Sequence, residues 1–217
     1  MTNTISHPDS TILKKATDDA ATNWEWWEDD YLYKGDFGAL PILQTFSRFR
    51  GFGADYSVTR GLNSRECDEM RKWLTTFVPA TELGRDQDEF NAQFVGFHEK
   101  CKVIEDNIRN ELTTQKRVSL FSKLLGHWKP NEFAMWDQYA RIGLRRIVGG
   151  NHYTQYKHYC RFNTDFHNLK RAWSGELSKI SEERWASQTS DKDKIQERIE
   201  LFMPRILDNY LVELGRS

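Results

Sequence analysis

Lys123 and Asp137 are the two residues whose types and spacing most directly suggest chemistry. They lie in Ser122-Lys123-Leu124-Leu125, followed after a short turn by Pro130-Asn131-Glu132-Phe133-Ala134-Met135-Trp136-Asp137. The pattern puts Lys123 on a helix and Asp137 at the mouth of the next. A lysine that is partly desolvated or near other cations loses basicity, and its neutral amine can attack a sugar or a carbonyl. A carboxylate at a helix N-terminus is favoured in its charged form and can support a cationic transition state. Each residue also has a plain structural reading. Lys116, Ser119, Lys123 and His127 recur at helical spacing, as a solvated polar side would, and Asp137 is a good helix N-cap.

The elements that must position this pair read as helices. Apolar residues recur at helical spacing through most of the chain, and strand-like alternation is scarce. The fold class expected is all-α, with short helices joined by tight loops. Residues 1–10 are expected to be disordered and 11–217 to form one helical domain, with lobes of about 11–112 and 113–217. A short helix is expected over 11–21. Another is expected over 40–49 with Pro41 in its first turn, broken by Arg50-Gly51-Phe52-Gly53. Ser64 is read as the cap of a helix that presents Cys67, Met70, Leu74 and Phe77. A long amphipathic helix is expected over 86–112. The next, over 117–127, lines Val118, Phe121 and Leu125 on one side, joined by Leu120 and Leu124. Asp137 opens a helix through Ala140, Leu144 and Val148, stopped by Gly149-Gly150. Two more are expected over 152–173 and 192–214, with Pro204 kinking the last.

Composition narrows the function classes. With eight Trp and 13% aromatics, the 217 residues can bury a sizeable core. No apolar run approaches the roughly 18 residues of a membrane span, and the polar start lacks the order of a signal peptide. Three widely spaced cysteines, Cys67, Cys101 and Cys160, argue against a disulfide framework and for a cytoplasmic location. No CxxC or CxxH pair suggests zinc. His158, Asp165 and His167 do not share one helical face, so no metal is expected, and no other cofactor.

The charge is uneven. The window 116–171 holds 11 Lys and Arg against 3 acids, a net of +8, and the rest of the chain carries −9. Such a window suits a polyanion; clustering on solvated helices is the other reading. The run Thr45-Phe46-Ser47-Arg48-Phe49-Arg50 alternates arginine with phenylalanine. Arg48 and Arg50 can meet phosphates while an exposed Phe wedges into a base step, or the phenylalanines are core. Tyr56 and Arg60 can line a pocket. Trp128 and Trp136 flank the turn between Lys123 and Asp137, and are either stacking platforms for an extruded base or core. Trp24, Trp26 and Trp27 read as core or a lobe interface, with a protein-binding surface as the alternative.

The run from Ser122 to Asp137 resembles the Lys-to-Asp stretch of helix-hairpin-helix DNA glycosylases, most closely the 8-oxoguanine-glycosylase-like branch associated with bacterial anti-phage defence. The resemblance covers residues 118–144. It implies a two-lobed helical fold and excision of a damaged or modified base flipped out of double-stranded DNA, with a hypermodified phage base as one candidate substrate. It implies Lys123 as the Schiff-base nucleophile, with strand-cleaving lyase activity as a further step. Asp137 would be the carboxylate that supports an oxocarbenium-like transition state. The 14-residue spacing is shorter than in the well-known members, and residues 113–118 contain no glycine. The family's backbone grip on phosphate would therefore pass to Lys116, Arg117 and Lys129. No obligate protein partner is evident. The alternative function is a non-catalytic nucleic-acid-binding helical protein; a purely structural or protein-binding helical domain is a third.

Overall fold

Local hydrogen bonds at the chain's turning points decide where its helices begin. The computed structural model describes residues 6–22, 24, 28, 32–56, 63–76, 114–149, 153, 158–185 and 192–217, with backbone alone at 66, 114–118 and 192. Among them are nine α-helices and no strand: α1 (Ser10–Thr22), α2 (Pro41–Gln44), α3 (Phe46–Asp55), α4 (Ser64–Leu74), α5 (Thr114–Trp128), α6 (Gln138–Val148), α7 (Tyr159–Ala172), α8 (Ser174–Trp185) and α9 (Lys192–Arg216). The chain is all-α, as its periodicity predicts. No described helix is long and apolar enough to cross a membrane. The helix expected over 86–112 lies outside the described residues, as do Trp26, Trp27, Arg60 and residues 1–5.

Two compact units partition the chain: Met1–Glu28 with Lys129–Ser217, and Asp29–Trp128. In the first, α9 is the central element, and α6, α1 and α8 pack along it. Asp9 starts α1 by accepting from the Thr11 and Ile12 N–H groups at 2.9 and 3.0 Å. Trp24, Trp185 and Phe202 form a buried cluster with ring centroids 5.1–5.5 Å apart, so Trp24 is core. The crossing of α6 and α9 depends on two glycines. A Cβ on Gly143 would overlap the Leu211 carbonyl, and one on Gly215 would overlap the Tyr139 carbonyl. Residue 139 faces 215 and 143 faces 211, so the two helices run antiparallel with their backbones nearly touching. Gly149, at φ +76°, closes α6 as a side chain there would not readily allow.

The second unit holds α2 to α5. One helix was expected over 40–49, ending at the glycines. Instead Thr45 adopts an extended conformation, its hydroxyl accepts from the Arg48 N–H at 3.2 Å, and α3 runs on through Gly51 and Gly53. Each glycine costs a helix up to about 1 kcal/mol. Phe49 and Phe52 are completely buried by that extension, and each gains about 1.5–3 kcal/mol from it. Burial therefore outweighs propensity. The helix expected over 152–173 begins only at Tyr159, and Tyr153 lies outside it.

Gly143→Ala and Gly215→Ala are each expected to destabilise the protein by at least about 1–3 kcal/mol, the usual cost of overpacking. Gly175→Ala, where nothing lies within 4 Å of the new Cβ, should stay within about 1 kcal/mol of the parent. Chemical denaturation of the three variants tests the crossing. Equal stabilities would mean that α6 and α9 do not meet at these residues.

Candidate functional site

Lys123 sits on α5 in the Asp29–Trp128 unit. The polar side predicted for this helix is not solvated: every residue from Leu120 to Trp128 is buried, with Lys123 4% exposed and His127 fully enclosed. A helix enclosed on all sides must settle its polar groups internally. The Ser122 hydroxyl donates to the Ser119 carbonyl at 3.1 Å. His127 Nε2 and the Tyr56 hydroxyl are 3.2 Å apart. The Lys123 Nζ lies over the Tyr56 ring, 5.0 Å from its centre. Burial makes an ammonium costly, and a desolvated aromatic face returns about 2 kcal/mol of that cost. Phe52 completes the cluster, its ring 4.9 Å from Tyr56 and 5.3 Å from His127. The structure thus brings together two residues singled out in the sequence, Lys123 and Tyr56. It adds His127, which shares a helix side with Lys123 four residues earlier.

Asp137 belongs to the other unit. It adopts the extended conformation of an N-cap (φ −118°, ψ 150°), and its Oδ1 accepts from the N–H groups of Tyr139 at 2.8 Å and Ala140 at 3.4 Å. The preceding residues 129–137 carry no helix after their opening turn, yet 133–136 are buried. Helix α7 ties them down. Asn163 accepts from the Ala134 N–H at 2.6 Å and donates to the Glu132 carbonyl at 2.9 Å. The Tyr159 hydroxyl donates to the Ala134 carbonyl at 2.7 Å, and Lys170 reaches Asn131 at 2.9 Å. Nothing in the sequence flags Asn163, because its partners lie 29 and 31 residues away.

Arg141 is the nearest described cation on the Asp137 helix. Its Nε donates to the Asp137 carbonyl at 3.3 Å, its guanidinium lies 4.8 Å from the Trp136 ring centre, and it also donates to the Tyr153 carbonyl. Burial lowers the Arg141 pKa, and the Asp137 charge opposes that shift. Tyr153 donates to Asp165 at 2.6 Å, and burial together with that carboxylate pushes its hydroxyl pKa up. Arg161 also approaches Asp165, at 3.6 Å.

Several expected contacts are placed differently. Trp128 is interior: its Nε1 donates to the Gly35 carbonyl at 2.8 Å, and its ring meets Phe37 edge-on. Trp136 is equally enclosed, packed on Tyr159 and Phe162 beneath Arg141. Of the two readings for these rings, stacking platform or core, both are core, because each unit fills its interior with the aromatics adjoining the turn. Arg48 and Arg50 lie on α3 rather than on a loop, and two residues apart on a helix they point to nearly opposite sides. Phe49 and Phe52 are core and cannot wedge between bases. Phe46 keeps partial exposure under the Arg50 guanidinium, 5.9 Å away. Lys129 pairs with Glu132 at 3.2 Å. Lys116 and Arg117 fall in the first turn of α5, where only backbone is described, and Arg60 lies outside the described residues. Asp165 serves Tyr153 and Arg161, and among the described residues no group of three or more His, Cys, Asp or Glu is placed to hold a metal ion.

Comparison with protein-family models, with curated proteins and with solved structures returns no match.

His167 gives the Asp137 loop a pH signature. Its pKa is lowered to about 4, by burial first and then by Lys170 and Arg171, against a raising contribution from the Glu132 backbone. The unfolded chain takes up this proton near the ordinary 6.5, whereas the fold refuses it until about 4. Stability therefore falls as pH drops through that window, by up to about 3 kcal/mol, and above it His167 adds no pH dependence. Denaturation of the parent and His167→Gln proteins from pH 7 to pH 4 should show this slope flattened in the variant. An unchanged slope would assign the acid sensitivity to other groups.

Proposed function

We propose that the chain is a DNA glycosylase that extrudes a damaged or modified base and breaks its N-glycosidic bond. The observation that carries this reading is the burial of Lys123 against Tyr56 and His127, at the position the resemblance assigns to the nucleophile. Lysine is among the residue types least often found buried, and this one is enclosed at the position where the resemblance places the reacting amine. In this mechanism the Lys123 amine attacks C1′ as the base departs. For Asp137 the resemblance implies the carboxylate that supports the cationic sugar. Phosphate contacts fall to Lys116, Arg117 and Lys129, and to Arg48 and Arg50 singly, since the latter two do not share a face. The substrate class that follows from the resemblance is 8-oxoguanine or a hypermodified base of phage DNA.

A second reading, a non-catalytic nucleic-acid binder, has one observation in its favour. The Asp137 carboxylate is already used as a helix cap, while Arg145, Arg161 and Arg171 are exposed.

Counting abasic sites separates the two. Duplex DNA containing 8-oxoguanine, and DNA from phages with modified cytosines, would be incubated with the protein and then with an aldehyde-reactive probe. Asp137→Asn keeps a good N-cap residue, and Lys123→Met keeps the side-chain volume in a buried site, so both variants should fold. The reading expects abasic sites on one of the substrates, reduced by about 10²-fold or more in each variant. DNA binding without abasic sites on any substrate would favour the non-catalytic binder.

A further inference from the structure

Tyr56 and His127 are joined by a hydrogen bond beside Lys123, and the proposed reaction as described so far leaves both without a task. Tyr56 is partly exposed and His127 is enclosed behind it. The phenol oxygen is 3.2 Å from His127 Nε2, and the Lys123 amine lies over the same phenol ring. A phenol on a partly exposed residue, backed by a buried imidazole, is the arrangement of a short proton relay. The rings of Tyr56 and His127 cross at 78°, both packed against the Phe52 ring, which holds the pair in register.

We propose that Tyr56 and His127 form the acid–base relay of a strand-cleaving lyase step at Lys123, acting on an abasic site in DNA. The proposal rests on the glycosylase reading and goes beyond it by assigning the second half-reaction. On an open-chain abasic sugar, the Lys123 ammonium gives one proton to the aldehyde oxygen as its nitrogen adds to C1′, and the carbinolamine loses water, leaving a protonated imine. One C2′–H bond then breaks. Its electrons pass through the imine to expel the 3′ phosphate, so that C2′=C3′ forms as C3′–O breaks. The proton goes to the Tyr56 oxygen while the Tyr56 hydroxyl hydrogen passes to His127 Nε2. Water finally hydrolyses the imine and frees Lys123.

The charge balance favours this route in a buried setting. Loss of the C2′ proton turns the iminium into a neutral enamine as the imidazolium forms; expulsion of the 3′ phosphate restores the iminium, and the relay proton returns through Tyr56 to the departing phosphate oxygen, so the cluster holds one positive charge before and after. Creating a second buried charge would be costly.

The test uses the full chain and DNA containing a preformed abasic site, which makes it independent of the base recognised. Strand cleavage is followed alongside the adduct trapped by borohydride. Tyr56→Phe keeps the ring that faces Lys123 and Phe52. His127→Gln keeps a hydrogen-bonding group near the Nε2 position but cannot take up a proton. With folding checked by thermal melts, each variant is expected to slow cleavage by about 10²-fold while trapped adduct accumulates relative to cleaved product. Parent-like cleavage in both variants, with adduct still formed, would overturn the relay and leave Lys123 as the nucleophile. Parent-like cleavage in His127→Gln alone would likewise reduce His127 to a structural hydrogen-bond partner and overturn the relay. Absence of any adduct with the parent protein would overturn the Lys123 assignment and the relay together.

Discussion

Residues 133–136 are buried without the hydrogen bonds that regular structure supplies, and much of the candidate site depends on how that requirement is met. A buried backbone N–H or C=O without a partner costs about as much as a lost hydrogen bond. Two side chains of α7 meet the requirement: Asn163 serves Ala134 and Glu132, and Tyr159 serves Ala134. The segment so fixed delivers Asp137 to the start of α6. The antiparallel approach of α6 to α9 over Gly143 and Gly215 then fixes the helix that Asp137 caps. Asp137 is thus held from both sides by packing remote from it in sequence.

The unit that carries Lys123 solves a different problem. Helix α5 is enclosed along its C-terminal half, so the polar groups there have no solvent to turn to. Lys123, Tyr56 and His127 meet one another within this interior. A cation over a desolvated aromatic face gains about 2 kcal/mol, which works against the several kcal/mol that burying an ammonium costs. Lysine is among the residue types least often found buried, and this one is enclosed in an aromatic cluster.

The sequence revealed more of the local structure than of the tertiary arrangement. Asp137 as a cap, Gly149 as a stop and the all-α class were legible because each rests on a few neighbouring residues and a fixed periodicity. Helix α3 was misread because Gly51 and Gly53 look like breakers, and only the burial of Phe49 and Phe52 overrides them. Helix α8 was not read at all: its buried stripe is only Leu177, Ser181 and Trp185, among exposed Glu and Arg. At the site, the spacing of Lys123 and His127 correctly placed them on one side of α5 but suggested solvent. Enclosure is decided by elements far along the chain, and so is the interior placement of Trp128 and Trp136. The contribution of Asn163 was invisible for the same reason.

The central claim is that Lys123 is a nucleophile, and the most direct measurement locates its covalent bond. The protein would be incubated with abasic-site DNA and borohydride, the adduct digested, and the modified residue identified by mass spectrometry. The account predicts a sugar remnant on Lys123 and no adduct in Lys123→Met. A remnant on any other amine, or an undiminished adduct in Lys123→Met, would contradict it.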